Sequence, residues 1–166
     1  KSLGGGILND AGCYPICASR ILFNEEPESV FCNLTVDEKS KVDTKANLFL
    51  KYADLKSAYM AVGYDVSYNS TYGLWGTNGN LSLKRAYNIP SDMNAEIILN
   101  RENPKILSIK PVNHFNLMID NFSKTLLHTI KASFNFEDDL LKQARIMEAA
   151  RKSSKTKKVI KINDIK

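Results

Sequence analysis

Cysteine and histidine are scarce in this chain, three and two residues among 166. Cys13, Cys17 and Cys32 are odd in number, form no Cys-x-x-Cys pair and have no histidine near them. That argues against a disulfide framework and against a zinc site, so no metal is expected and reduced thiols fit best. Long apolar runs are missing as well. None approaches the roughly 20 residues that span a bilayer. No apolar segment of signal-peptide type follows Lys1-Ser2-Leu3-Gly4. The expected setting is therefore cytoplasmic, with no membrane partner. The sequence opens without Met, and the expectation is that it starts within a longer protein.

A basic face is absent over most of the chain. The net charge is +5, but residues 151–166 hold seven Lys/Arg and one Asp, and the other 150 residues sum to −1. A nucleic-acid binder carries a basic face interleaved with aromatics. A neutral body with a basic tail reads instead as a solvated helix end followed by a lysine-protected edge strand, so no nucleic-acid partner is expected. The composition is ordinary for a globular protein, 43% hydrophobic and 25% charged. The length allows one domain with a real core. No internal repeat, low-complexity stretch or long linker divides residues 1–166, which are expected to form a single domain.

The hydrophobic period changes along the chain. A Gly-rich entry leads into a helix within 4–23. Residues 28–37 read as a strand. In 44–54, Ala46, Leu48, Leu50 and Tyr52 alternate on one face; in 57–66, Ala58, Met60, Val62 and Tyr64 do the same. Period-two alternation marks half-buried antiparallel strands. Asn78-Gly79 signals a hairpin with strands Tyr72–Gly76 and Leu81–Tyr87. Two more strands are expected at 94–100 and 105–109. From Asn113 the period becomes helical, with Phe115, Met118, Ile119, Phe122, Leu126 and Ile130 in step. A second helix is expected from Phe136 to Ser153, with Leu140, Leu141, Ala144, Met147 and Ala150 on one side, and a last short strand at Val159–Ile162. Strands grouped before helices predict an α+β fold, an open, mainly antiparallel sheet with helices packed on one face.

The chemically informative stretch is Gly4-Gly5-Gly6-Ile7-Leu8-Asn9-Asp10-Ala11-Gly12-Cys13-Tyr14-Pro15-Ile16-Cys17. On a helix, Asp10 and Tyr14 share a face. A carboxylate beside a phenol can orient the hydroxyl, and the phenol can give or take a proton. The same spacing also suits an Asp near a helix start and a buried, hydrogen-bonded Tyr.

The stretch GGGILNDAGCYPICASRILFNEEPESV resembles the signature GGGxLxDxGxHxxDxxxxLxGxxP of the glucose-fructose oxidoreductase, inositol dehydrogenase and rhizopine catabolism (Gfo/Idh/MocA) family, in whose Tyr-containing branch the His is replaced. Tyr14 stands at that position, Asp10 at the preceding Asp, and Cys17 replaces the later Asp. Val42-Asp43-Thr44, Tyr72-Gly73-Leu74-Trp75-Gly76-Thr77-Asn78-Gly79, Asn113-His114-Phe115 and the ending QARIMEAARKSSKT are similar to later family segments, in the same order. The resemblance implies the C-terminal substrate-binding and dimerisation domain of an NAD(P)-dependent oxidoreductase. Its substrate would be a sugar or nucleotide-sugar carrying a ketone or secondary alcohol. Tyr14 and Asp10 would be catalytic, with Tyr72, Trp75 and Cys17 toward the substrate. It implies a homodimer through the exposed sheet face.

NAD or NADP is expected only in a full-length enzyme with an N-terminal Rossmann domain. That domain is absent from this chain, no Gly-x-Gly-x-x-Gly occurs, and Gly4-Gly5-Gly6 does not follow a strand. The chain alone is thus expected to be inactive and to bind no cofactor. A Glu-Lys-Pro typical of the family is also missing, and Lys110-Pro111 lies on the wrong side of the first motif. Two alternatives remain open. One is a binding or dimerisation module without catalysis. The other, more remote, is a cysteine hydrolase using Cys13 and His114, which would need a thiolate activated by a nearby His. His114 otherwise reads as a capping or packing residue at a helix start, and His128 as a surface or partly buried residue within that helix.

Overall fold

A computed structural model describes residues 4–131 and 135–165. The α+β expectation is borne out, with one difference. The strands form two four-stranded antiparallel sheets, and the chain divides into two compact units, 1–66 with 134–166, and 67–133.

The first unit opens with a π-helical turn, Leu8–Gly12, that runs directly into α1, Cys13–Phe23. Asn24, at φ 53°, ends α1 in the left-handed conformation. Strands β1 (Ser29–Val36), β2 (Asp43–Lys51), β3 (Ser57–Gly63) and β8 (Ile160–Lys161) follow the order β3-β2-β1-β8. Alternation sorts them as expected. Val30, Cys32, Ala46, Leu48, Leu50 and Met60 are buried under α1 and α3 (Phe136–Thr156). The opposite face carries a cross-strand row, Phe31 opposite Phe49 and Phe49 opposite Tyr59.

Helix α3 buries Ile146, Met147, Ala149, Ala150 and Ser153, while Leu140 and Leu141 are exposed. The buried stripe is thus rotated from the expected one. Polar contacts explain the rotation. Buried Arg20 pairs with Glu26 and with Asp139 and donates to Gln143 Oε1, which fixes the N-terminal half of α3 by its Asp139/Gln143 side. At the other end, Ser153 Oγ accepts from Cys32 N at 2.9 Å and Ser154 Oγ accepts from Leu34 N at 3.0 Å. The helix thereby satisfies β1 amides beyond the two residues that β8 pairs.

The second unit holds β4 (Tyr72–Gly76), β5 (Gly79–Leu83), β6 (Ala95–Asn100) and β7 (Lys105–Ile109), paired in sequence order, and α2 (His114–Leu126). Cross-strand partners Tyr72, Leu83, Ile97 and Leu107 form one row. The hairpin is real, but its two-residue loop is Thr77–Asn78. Gly79 already lies in β5, at φ 133°, where a β-carbon would meet the Asn100 carbonyl at 2.5 Å. β5 also stops at Leu83 rather than Tyr87. Beyond it, Ser70 Oγ bonds both the amide and the carbonyl of Tyr87.

Candidate functional site

Four side chains build the entry to α1. Asp43, the first residue of β2, accepts a hydrogen bond from Leu8 N at 2.7 Å. Its carboxylate occupies the space a β-carbon on Gly6 would need, 2.1 Å from Oδ1, and Gly6 stands at φ 128°. Only glycine holds that backbone without strain. Asn9 Nδ2 donates to Gly4 O, and Arg151 of α3 donates to Asn9 Oδ1. Gln143 Nε2 donates to Cys13 O at 3.0 Å. The turn that precedes Tyr14 is therefore held by β2 on one side and α3 on the other. π-Turns interrupt the regular α-helical ladder and recur at functional sites.

Within this frame Asp10 is exposed on the π-turn, and Tyr14 sits one turn later on α1, 55% exposed. Asp10 also has a phenol partner from outside this segment, a tyrosine that alternation placed in the core-facing row of β3. Tyr64 lies just past β3 and donates its hydroxyl to Asp10 Oδ2 at 2.9 Å. Burial, the hydrogen bond to Asp10 and the charges of Asp10 and Asp43 all push the Tyr64 phenol above its ordinary value. A phenol kept protonated is a fixed donor, so it holds the Asp10 carboxylate in place. Alternation runs on through Tyr64 and so gave no signal; the strand itself ends at Gly63, and Asp65 at φ 56° turns the chain away.

Cys17 follows Tyr14 on α1, half-buried, its thiol pushed up by burial and by Asp139. Cys13 is likewise pushed up, chiefly by burial. That is the reverse of what a nucleophilic thiolate needs. In the second unit, Tyr72 and Trp75 are three apart on β4 and so face opposite sides of the sheet. Tyr72 is half-buried and its ring lies 6.0 Å from that of Tyr87; Trp75 is 94% exposed in a row with Asn80 and Asn100, which are bonded to each other. The two rings do not form one wall. Asn113, not His114, caps α2, its side chain accepting from Asn116 N. His128 lies beyond the helix end at φ 54°.

Among the described residues no helix is long and apolar enough to cross a membrane. Residues 1–82 match the family model described as the GFO/IDH/MocA C-terminal domain. This segment contains the whole π-turn, α1 and the first sheet apart from β8. Over that segment the chain matches the Gfo/Idh/MocA oxidoreductase family. It is 28% identical over 131 residues to an uncharacterized oxidoreductase of Rhizobium meliloti, covering 75% of this chain and 39% of that protein. It is 24% identical over 155 residues to dTDP-3,4-didehydro-2,6-dideoxy-alpha-D-glucose 3-reductase of Actinomadura kijaniata, covering 90% of this chain and 45% of that one. The fold matches a solved 3-ketoreductase from Actinomadura kijaniata, in complex with TDP-benzene and NADP, at a TM-score of 0.83 and 24% identity, over 90% of this chain and 48% of that chain. The chain spans less than half the length of each of these relatives.

Proposed function

We propose that this chain is the substrate-binding domain of an NAD(P)-dependent oxidoreductase that interconverts a ketone and a secondary alcohol on a sugar or nucleotide-sugar. One observation carries the reading. Tyr14, open to solvent, stands one turn beyond a carboxylate that Tyr64 holds in place, inside the family-matched segment. The related reductase that acts on a dTDP-linked keto-sugar supports the substrate class.

Tyr14 gives its hydroxyl proton to the carbonyl oxygen during reduction and takes it back during oxidation. Asp10 orients that exchange and is oriented in turn by Tyr64. The residues here do not fit a dinucleotide: the Asp43 carboxylate fills the space beside Gly6, where a phosphate would be repelled. NAD or NADP, which supplies or accepts the hydride, belongs to a Rossmann domain elsewhere in the full-length enzyme. That enzyme is proposed to be a cytoplasmic homodimer. Cys17, Tyr72 and Trp75 are proposed to contact substrate, Trp75 from a different sheet face than Tyr72.

The test has two arms. Calorimetric titration of the 166-residue chain with NADH and NADPH is expected to show no binding. An enzyme joining this domain to a nucleotide-binding domain is expected to oxidise NADPH or NADH in the presence of dTDP-linked keto-sugars, with Cys13→Ser barely changing the rate. Micromolar cofactor affinity of the chain alone, or no turnover across keto-sugars, would overturn the reading.

A further inference from the structure

We propose that Arg85, held over the Tyr68 ring, binds the phosphate group of a phosphorylated or nucleotide-linked sugar. The identity of the sugar rests on the proposed function; the anion site itself does not.

Among the described residues Arg85 has no anionic partner. Seven ion pairs form among the described residues and Arg85 enters none of them. Its Nε is sealed from solvent and has no hydrogen-bond acceptor, a state that calls for an explanation in a charged donor. The surrounding chain offers no carboxylate nearby in sequence, since residues 66–91 contain no Asp or Glu, whereas Lys84 adds a second positive charge. In the same stretch stand Tyr68, Tyr72, Trp75 and Tyr87.

The guanidinium is also placed. Its carbon lies 4.7 Å from the Tyr68 ring centroid. Stacking on an aromatic face leaves a guanidinium's rim of N–H groups free to meet phosphate oxygens two at a time. The segment that carries it is clamped. Ser70 pairs with Arg85 as an isolated bridge, Ala86 N donates to Ser70 O at 2.6 Å, and Ser70 Oγ bonds the Tyr87 amide and carbonyl at 3.2 Å each. Tyr68 is 68% exposed, so the stack is reachable from solvent. A fixed cation, an aromatic floor and no competing acid suit a phosphate attached to a ring.

The experiment titrates the chain calorimetrically with sodium pyrophosphate, with glucose 1-phosphate and with glucose. Pyrophosphate and glucose 1-phosphate are expected to bind at least tenfold tighter than glucose, and more weakly as salt rises. Arg85→Gln should weaken both by tenfold or more and Lys84→Gln by less than threefold. Arg85→Lys, which keeps the charge and the fold but loses the fork, should fall between them. No pyrophosphate binding in the parent chain, or Arg85→Gln binding like the parent, would overturn the site. Tyr14→Phe should leave these titrations unchanged. Loss of turnover in Tyr14→Phe with no anion binding would therefore sink this inference alone, and anion binding without turnover would sink only the proposed reaction.

Discussion

Tyr64 donates its hydroxyl to Asp10 at 2.9 Å, across fifty-four residues of sequence. The bond joins the end of β3 to the π-turn and gives the carboxylate a fixed partner. Because Asp10 and Asp43 both disfavour a charged phenol here, Asp10→Asn should let Tyr64 titrate at lower pH, while burial and Asp43 still hold it above the ordinary tyrosine value. Carbon NMR of ring-labelled tyrosine, read against Tyr64→Phe for assignment, checks this. An unmoved Tyr64 titration in Asp10→Asn would mean the bond is absent in solution.

The space beside Gly6 is occupied by Asp43. Gly6→Ala would place a β-carbon 2.1 Å from Asp43 Oδ1 on a backbone at φ 128°, so the carboxylate must leave Leu8 N. The expected cost is about 2 kcal/mol or more. Asp43→Asn keeps the shape and an acceptor, and should cost about 1 kcal/mol. Urea unfolding of both variants decides the order. Gly6→Ala as stable as the parent would contradict the packing described.

Tyr52 is fully buried and bonded to Ser19 Oγ at 2.6 Å, and burial pushes its hydroxyl up to about 12. Since the folded value lies above the unfolded one, near 10, its stabilising contribution is complete below about pH 10. It is lost as pH rises toward 12. Tyr52→Phe should cost about 1 kcal/mol at neutral pH through the lost hydrogen bond and should flatten the alkaline decline. Equal alkaline slopes in the two proteins would rule out this source.

Phe31, Phe49 and Tyr59 form an aromatic row on the helix-free face of the first sheet, with Tyr59 79% exposed and Phe49 4.8 Å from it between ring centroids. A twofold partner covering such a row is the expected assembly. Sedimentation at rising concentration should show a dimer that Phe49→Glu dissociates. A monomer at high micromolar concentration would remove it.

Much of this fold was legible because period-two alternation is a local property. Ala46, Leu48, Leu50 and Tyr52 are all buried as the pattern requires. What alternation cannot carry is long-range polar bonding. The rotation of α3 depends on Arg20, Asp139 and Gln143 meeting across about 120 residues, and the partner of Asp10 depends on where β3 ends. Helical spacing relates Tyr14 to Asp10 but carries no sign of the hydrogen bond from Tyr64. The stop of β5 at Leu83 likewise reflects the Ser70 clamp and not any breaker in Lys84–Tyr87. The motif itself was readable because its residues from Leu8 to Cys17 lie on one continuous helical segment.

The most direct test of the account is the turnover number of Tyr14→Phe in the enzyme that contains this domain, measured beside Asp10→Asn with circular dichroism confirming the fold. A positioned proton donor contributes about 10²–10⁴-fold. The account therefore predicts a fall of at least a hundredfold in kcat for Tyr14→Phe, with a smaller fall for Asp10→Asn. A Tyr14→Phe enzyme turning over at the parent rate would contradict it.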